Sequence, residues 1–560
     1  MTRIFEIADR YVDEFAALDP NAATAAGITG HEAEMTDYSP DGAAAIAALD
    51  RRTAAELNLA AIDGDRDRIA RDVMAERLAV RIAAFDAGEY LRALRIIGSP
   101  MQGIRSGFDQ MPRATQEDWQ NIATRLKLVP RALSGFRATL LEGLARGMPA
   151  AQRQARECAK QAAIWSGQQG TPSFFGTLLD AYNAIPELAS DGLRADIEAG
   201  VHASEGAYAE LRTFLESEYL PRATEHDAAG RERYQLMSRQ FNGCEIDLEG
   251  TYAWGWDELY RVEREMAVTA AKILPGGSVD EVQQLLDTDP ARAIDGVDAH
   301  RAWLQEVHDR ALEELDGKHF DIDPRIMRVE VMVPPAGGAL APYYSGPSED
   351  FVRPGRTWWP SGTRTTFAKW TDVSTAYHEG VPGHHLQVGT VRCLGDTLSR
   401  YQRSLTFVSG HGEGWALYAE RLMGELGYLD NPEYALGMLS AQALRCVRVI
   451  IDIGMHLQLT IPATERFHPG ETWDHALGLA FAQQRSRQDK ELMTSELLRY
   501  LGWPAQAISY KVGERAWLDA RDAAKKRQGA AFDLKRFHTR ALGLGPMGLA
   551  QLTTEIARVP

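Results

Sequence analysis

A chain of 560 residues, 45% hydrophobic and 25% charged, is long enough to bury a large core and too apolar to be a disordered polymer. Its formal net charge of -17 argues against a nucleic-acid partner, because phosphate binding needs concentrated Lys and Arg. The four cysteines, Cys158, Cys244, Cys393 and Cys446, are far apart with no C-x-x-C pair, which argues against a disulfide framework and a thiolate zinc site.

The first residues, "MTRIFEIADRYVDEF", carry charges every few positions and lack the apolar run of a signal peptide. The densest apolar run, "VRVIIDIGM", is interrupted by Asp452 and is far shorter than the roughly 20 residues that span a bilayer. The expectation is a cytoplasmic protein with no membrane partner. Up to about Lys318 apolar residues recur at three- and four-residue steps, the period of amphipathic helices, as in "ELNLAAIDGDRDRIARDVMAERLAVRIAAF". Asp19-Pro20 reads as an N-cap with proline at the first helical position and Gly27 as a stop, and "SGQQGTPSF" and "LPGGS" read as breaks. Residues 1–320 are therefore expected to be a predominantly helical lobe.

Between Pro324 and Lys369 the texture changes. "RIMRVEVMV" is β-branched and short, and the following "PPAGGALAPYYSGPSEDFVRPG" is too rich in Pro and Gly for a helix, so a small sheet or hairpin with loops is expected. Helical periodicity returns from Trp370 and breaks at "GLGP" near the end. Residues 321–560 then form a catalytic region, short strands followed by helices, in a chain that is mainly α overall.

The stretch "YHEGVPGHHLQ" begins like the zinc motif H-E-x-x-H and departs from it at Pro382. In the ordinary motif two histidines four apart share one helix face and converge on an ion, and the Glu acts on the bound water. Here His385 stands seven positions after His378, about 10 Å along a regular helix, too far for two imidazoles to share a zinc ion. Pro382 gives no N–H to the carbonyl of His378 and Gly383 opens unusual backbone angles, so the helix is expected to kink or loop out between Glu379 and His384. That brings a later histidine back to His378. Deleting two residues aligns His384 with the second ligand, and His385 stays an alternative.

Catalytic zinc takes three protein ligands. Glu413 in "SGHGEGWALYAE", flanked by glycines at a helix entry, is the expected third, and Glu420, seven positions on and on the same helix face, could orient a ligand histidine. His411 is expected to line the site or cap the loop. Tyr343 and Tyr344 could contact substrate, and Lys511, Arg445 and Arg448 could bind a substrate carboxylate.

Together with "RVIIDIGMH", "PAQAISYKVGE", "FHTRALGLGP" and an N-terminal "DPNAATAAGITGHE", these blocks resemble, over nearly the whole chain, a large bacterial family known only as a domain of unknown function. "GEGWALYAE" is similar to the segment of zinc aminopeptidases whose Glu is the third metal ligand, which bears on Glu413 alone. The mainly helical pattern also resembles thimet oligopeptidase, angiotensin-converting enzyme and thermostable carboxypeptidase. That likeness implies a zincin-like fold: two helical lobes around a deep cleft, with the small sheet beside the metal-binding helix. The Pro-Gly insertion is where this sequence departs from those families.

The resemblance implies zinc as cofactor and a peptide or small-molecule substrate. Glu379 would take a proton from the attacking water and return it to the leaving amine. By the same resemblance Tyr510 is the first choice to stabilise the oxyanion, with His456 and His538 as alternatives near the substrate. The same ligands would serve hydrolysis of a non-peptide amide or ester, and a helical binding protein with a vestigial metal site would keep them too. Glu379 speaks against the last, since a structural metal needs no base.

Overall fold

The computed structural model describes residues 2–170, 172–188, 190–334 and 341–558. Helices dominate them, with two small sheets, and none of the described helices is long and apolar enough to cross a membrane. The chain divides after Asp227 into the units Met1–Asp227 and Ala228–Pro560.

In the first unit the expected punctuation is realised. The Asp19 carboxylate accepts from the N–H of Ala22, Pro20 opens the helix Pro20–Ala26, and Gly27 closes it at φ 70°. The following irregular segment is held by Arg125, fully buried on the helix Gln116–Ala145, which donates to the carbonyls of Pro20, His31 and Glu34 and to Thr24 Oγ1. Those acceptors satisfy most of a charge that burial alone would make costly. Trp119, Phe136, Trp165, Phe175 and Tyr208 fill the core beside it.

The second unit begins earlier than the composition suggests. Helix Leu248–Ile273 turns Trp256, Leu259, Val262 and Met266 inward, and at Gly255 it approaches Val449 and Ile450 closely. Its apolar face is thus covered by helix Pro432–Leu457, which is buried on nearly all sides from Leu436 to His456 and reads as apolar all round for that reason. The residues from 228 to 320 therefore belong to the same unit as the histidine motif.

Strand structure lies largely where expected. β1 (Ala293–Asp295) pairs antiparallel with β5 (Thr366–Ala368). β2 (Val329–Met332) runs parallel to β4 (Gly355–Trp358), and β3 (Tyr343–Ser345) antiparallel to it, giving the order β2-β4-β3. Residues 335–340, within the stretch read as loop, lie outside the described residues. β1 falls in sequence read as helical, because three residues are too few to show an alternating pattern.

Two further helices cross at backbone contact. A Cβ on Gly513, in helix Ser509–Gln528, would lie 1.9 Å from the carbonyl oxygen of Gly410, and one on Gly414 would lie 2.4 Å from Gly513; Gly410 and Gly414 belong to helix Ser409–Glu425. Only glycine permits that approach. Gly513→Ala is expected to destabilise the protein by about 3 kcal/mol or more through overpacking, read as a fall in thermal midpoint. Gly206→Ala, at an exposed helical position with nothing within 4 Å of the added Cβ, should instead stabilise by about 0.5–1 kcal/mol.

Candidate functional site

The histidine motif spans two helices. Helix Lys369–Glu379 follows β5 directly and ends with His378 and Glu379 in its last turn; a new helix, His384–Cys393, begins after four residues. The motif therefore closes one helix with His378 and Glu379 and opens the next with His384. The expected loop-out is present, and it breaks the helix completely. Gly380 still donates to Ala376, but Gly383 N–H turns back to the carbonyl of Tyr377 and His385 N–H to that of Gly380. Trp415 Nε1 fastens the loop by donating to the carbonyl of Pro382. A Cβ on Gly383 would lie 2.0 Å from the carbonyl oxygen of His378, so this reversal requires glycine.

The reversal brings His384 edge-on to His378, ring centroids 4.8 Å apart and planes at 87°. Nε2 of His378 lies 3.4 Å and Nε2 of His384 3.3 Å from Oε2 of Glu413, which enters from helix Ser409–Glu425. All three donor atoms fall within 4.8 Å of one another. Ligands held at about 2.0–2.1 Å around a tetrahedral ion stand about 3.4 Å apart, which is the spacing of both imidazoles to the carboxylate. Donor type and spacing thus suit a cation of zinc's size.

Surrounding charge points the same way. The Nδ1–H of His378 donates to Oε1 of Glu420 over 2.8 Å, and Ser374 donates to the other oxygen of that carboxylate. This fixes the tautomer, leaving Nε2 of His378 to face Glu413. Burial opposes charge on His378, yet Glu413 and Glu420 outweigh it and push its pKa up to about 9. Burial would likewise raise Glu413, but the two imidazoles pull it well below the usual carboxylate range. Glu379 is buried beside them, and burial, reinforced by Glu413, raises its carboxyl despite both imidazoles. Three carboxylates and two imidazoles in one place call for a positive charge among them.

Of the two candidate second histidines, the structure gathers His384. His385 is engaged by Tyr344 Oη at 3.0 Å and by the Ile326 carbonyl at 2.8 Å, and burial lowers its pKa to about 4. Tyr344 also lies 6.3 Å from the His384 ring, while Tyr343 stacks on Trp358. Tyr510 sits nearly parallel to His378, centroids 6.1 Å apart. His411 is buried against Trp517 and Gln387 and is not among the donors.

Lys511, His456 and His538 are not brought to this cluster. Lys511 is buried among Glu258, Gln442 and Glu514. His456 holds the N–H of Ala229 and the carbonyl of Tyr500, and His538 pairs with Tyr418 Oη at 2.7 Å. Sequence reading missed Ser374, although its position four residues before His378, on one helix face, was a usable signal.

The model of a bacterial protein family of unknown function, DUF885, matches residues 20–556. The chain belongs to this family. No curated protein matches it. Among solved structures, this DUF885 chain is similar to a "putative lipoprotein" from Colwellia psychrerythraea, at 21% identity over 99% of this chain and 98% of that one, TM-score 0.87. A second, a "putative lipoprotein" of unknown function from Shewanella oneidensis, is 18% identical over the whole of both chains, TM-score 0.72. The likeness extends the helical fold to these two.

His384→Ala is expected to abolish retention of zinc after dialysis, measured as metal per chain. His385→Ala should keep the metal and lose about 1–3 kcal/mol of stability, because Tyr344 and Ile326 lose their partner. Glu420→Gln should weaken zinc binding by about 10- to 100-fold. Equal zinc retention by His384→Ala and wild type would refute the ligand assignment.

Proposed function

We propose that this DUF885 protein is a metal-dependent hydrolase, with zinc as the metal, that cleaves peptide bonds of small peptides. The observation that carries the reading is the convergence of His378, His384 and Glu413 at ligand spacing with the buried Glu379 next to the first of them. A purely structural metal site has no use for a carboxyl in that position.

Two imidazole nitrogens and one carboxylate oxygen match the donor set of catalytic zinc with a position left for water. Such an ion supplies Lewis acidity and makes bound water a nucleophile near neutral pH. The protein's own groups do the rest. Glu379, its carboxyl raised by burial, takes the proton of the attacking water and passes it to the departing amine. Glu420 holds His378 by Nδ1 so that its other nitrogen stays available.

Tyr510 suits the oxyanion. Burial and the neighbouring Glu413 raise its phenol, so it stays protonated at neutral pH and donates without carrying charge. The four cysteines, none of them in a disulfide, support a reducing cytoplasm as the setting.

Glu379→Gln is expected to lose about 10²- to 10⁴-fold in kcat on peptide substrates while keeping its zinc. Tyr510→Phe should lose about 10²- to 10³-fold in kcat with KM little changed. The check is a steady-state assay of a peptide series run beside ester and acyl-amide substrates, with metal content measured on every variant. Full peptidase activity in Glu379→Gln would overturn the proposed chemistry; cleavage confined to the esters or acyl-amides would move the reading to a non-peptide hydrolase.

A further inference from the structure

Helix Pro432–Leu457 places two arginines against the ring of Tyr510. The guanidinium carbon of Arg448 lies 4.6 Å from the centroid of the Tyr510 ring and that of Arg445 5.7 Å from it, while the same ring faces His378. Both guanidiniums thus lie against the phenol that faces His378.

Neither is fully used by the protein. Arg448 donates Nε to Tyr500 Oη and Nη2 to Glu496 Oε2, both at 2.7 Å, but its buried Nη1 has no acceptor among the described residues. Arg445 donates Nη1 to the carbonyl of Ala441, one turn back, and its Nη2 lies 3.9 Å from Glu420; its buried Nε has no acceptor among them. Glu496 is further shared with Arg499 at 2.8 Å, so Arg448 does not have that carboxylate to itself. Each of these buried N–H groups still has a hydrogen bond to give, to a water or to a ligand acceptor.

Resting on the hydrolase reading above, we propose that Arg445 and Arg448 bind the free C-terminal carboxylate of the substrate, so that the protein trims short peptides from that end. Guanidinium forks recognise a carboxylate through two parallel N–H···O bonds. An extended chain advances about 3.3–3.6 Å per residue, so a terminus held by the arginines beside Tyr510 leaves room for one or two residues between it and the carbonyl under attack. Hydrolysis then breaks one amide C–N bond. The oxygen of water goes to the acyl carbon and its proton, through Glu379, to the amine of the released fragment, with no other reactant needed.

Zinc-loaded, full-length Glu379→Gln protein provides the test, by calorimetric titration with N-benzoylglycyl-phenylalanine and with its C-terminal amide. The free acid should bind at least about 30-fold more tightly, as expected for charge-assisted hydrogen bonds. Adding Arg445→Gln should bring the acid-to-amide ratio to within about threefold, and Arg445→Lys to an intermediate value, with zinc content unchanged.

Equal binding of acid and amide would overturn the proposal before any arginine is altered. So would an acid preference that survives Arg445→Gln, which would place the carboxylate on the metal. Wild-type cleavage assays separate this inference from the one beneath it. Equal cleavage of free-acid and amidated peptides would sink the carboxylate site and leave the hydrolase. An arginine-dependent acid preference without cleavage of any peptide would sink the hydrolase and leave the site.

Discussion

Three carboxyl groups, Glu379, Glu413 and Glu420, are buried or nearly so around two imidazoles, and a folded chain tolerates that only if positive charge is placed among them. Much of the second unit is arranged around this constraint. The neighbouring carboxylates favour a proton on His378, and a divalent cation held by His378, His384 and Glu413 would answer the same demand more completely. Arg445, close to Glu420, adds to that balance from outside the donor set. The site is therefore a concentration of electrostatic free energy that the rest of the fold must hold in place.

What holds it is backbone proximity more than side-chain packing. At Gly383 the chain doubles back onto the carbonyl of His378, and at Gly513 one helix lies directly on another. The first contact sets where His384 points; the second sets how near Tyr510, one turn before Gly513, comes to Glu413, three residues after Gly410. Both depend on the absence of a Cβ. Packing and chemistry are consequently linked: displacing the helices by the width of a methyl group would separate the phenol from the donors.

Much of this was legible in the sequence, and the residues show why. That His378, His384 and Glu413 come together could be read because their types and spacing follow a known pattern and because Pro382 contradicts a continuous helix in a way that has few resolutions. The caps at Asp19 and Gly27 were legible for the same local reason. The unit boundary after Asp227 was not, since a run of amphipathic helices looks alike on both sides of it and only the partner of each apolar face, such as helix Pro432–Leu457 for Trp256, decides membership. β1 escaped because three residues carry no period. That the motif ends a helix was hidden for a related cause: propensity fixes helix type more firmly than helix limits.

The charged residues near the motif show the limit most clearly. Lys511 and Arg445 had equal standing in the sequence as carboxylate binders, since each is a long cation on a helix close to the site residues. Folding separates them by what surrounds the head group. Lys511 has acceptors in Glu258, Gln442 and Glu514, so its three N–H donors are matched and it acts as a fastening between helices. Arg445 and Arg448 each retain a buried N–H that nothing among the described residues accepts. A buried cation with every donor matched stabilises the fold; one with a donor left over keeps a hydrogen bond to offer. That difference is three-dimensional, and no count of lysines and arginines contains it.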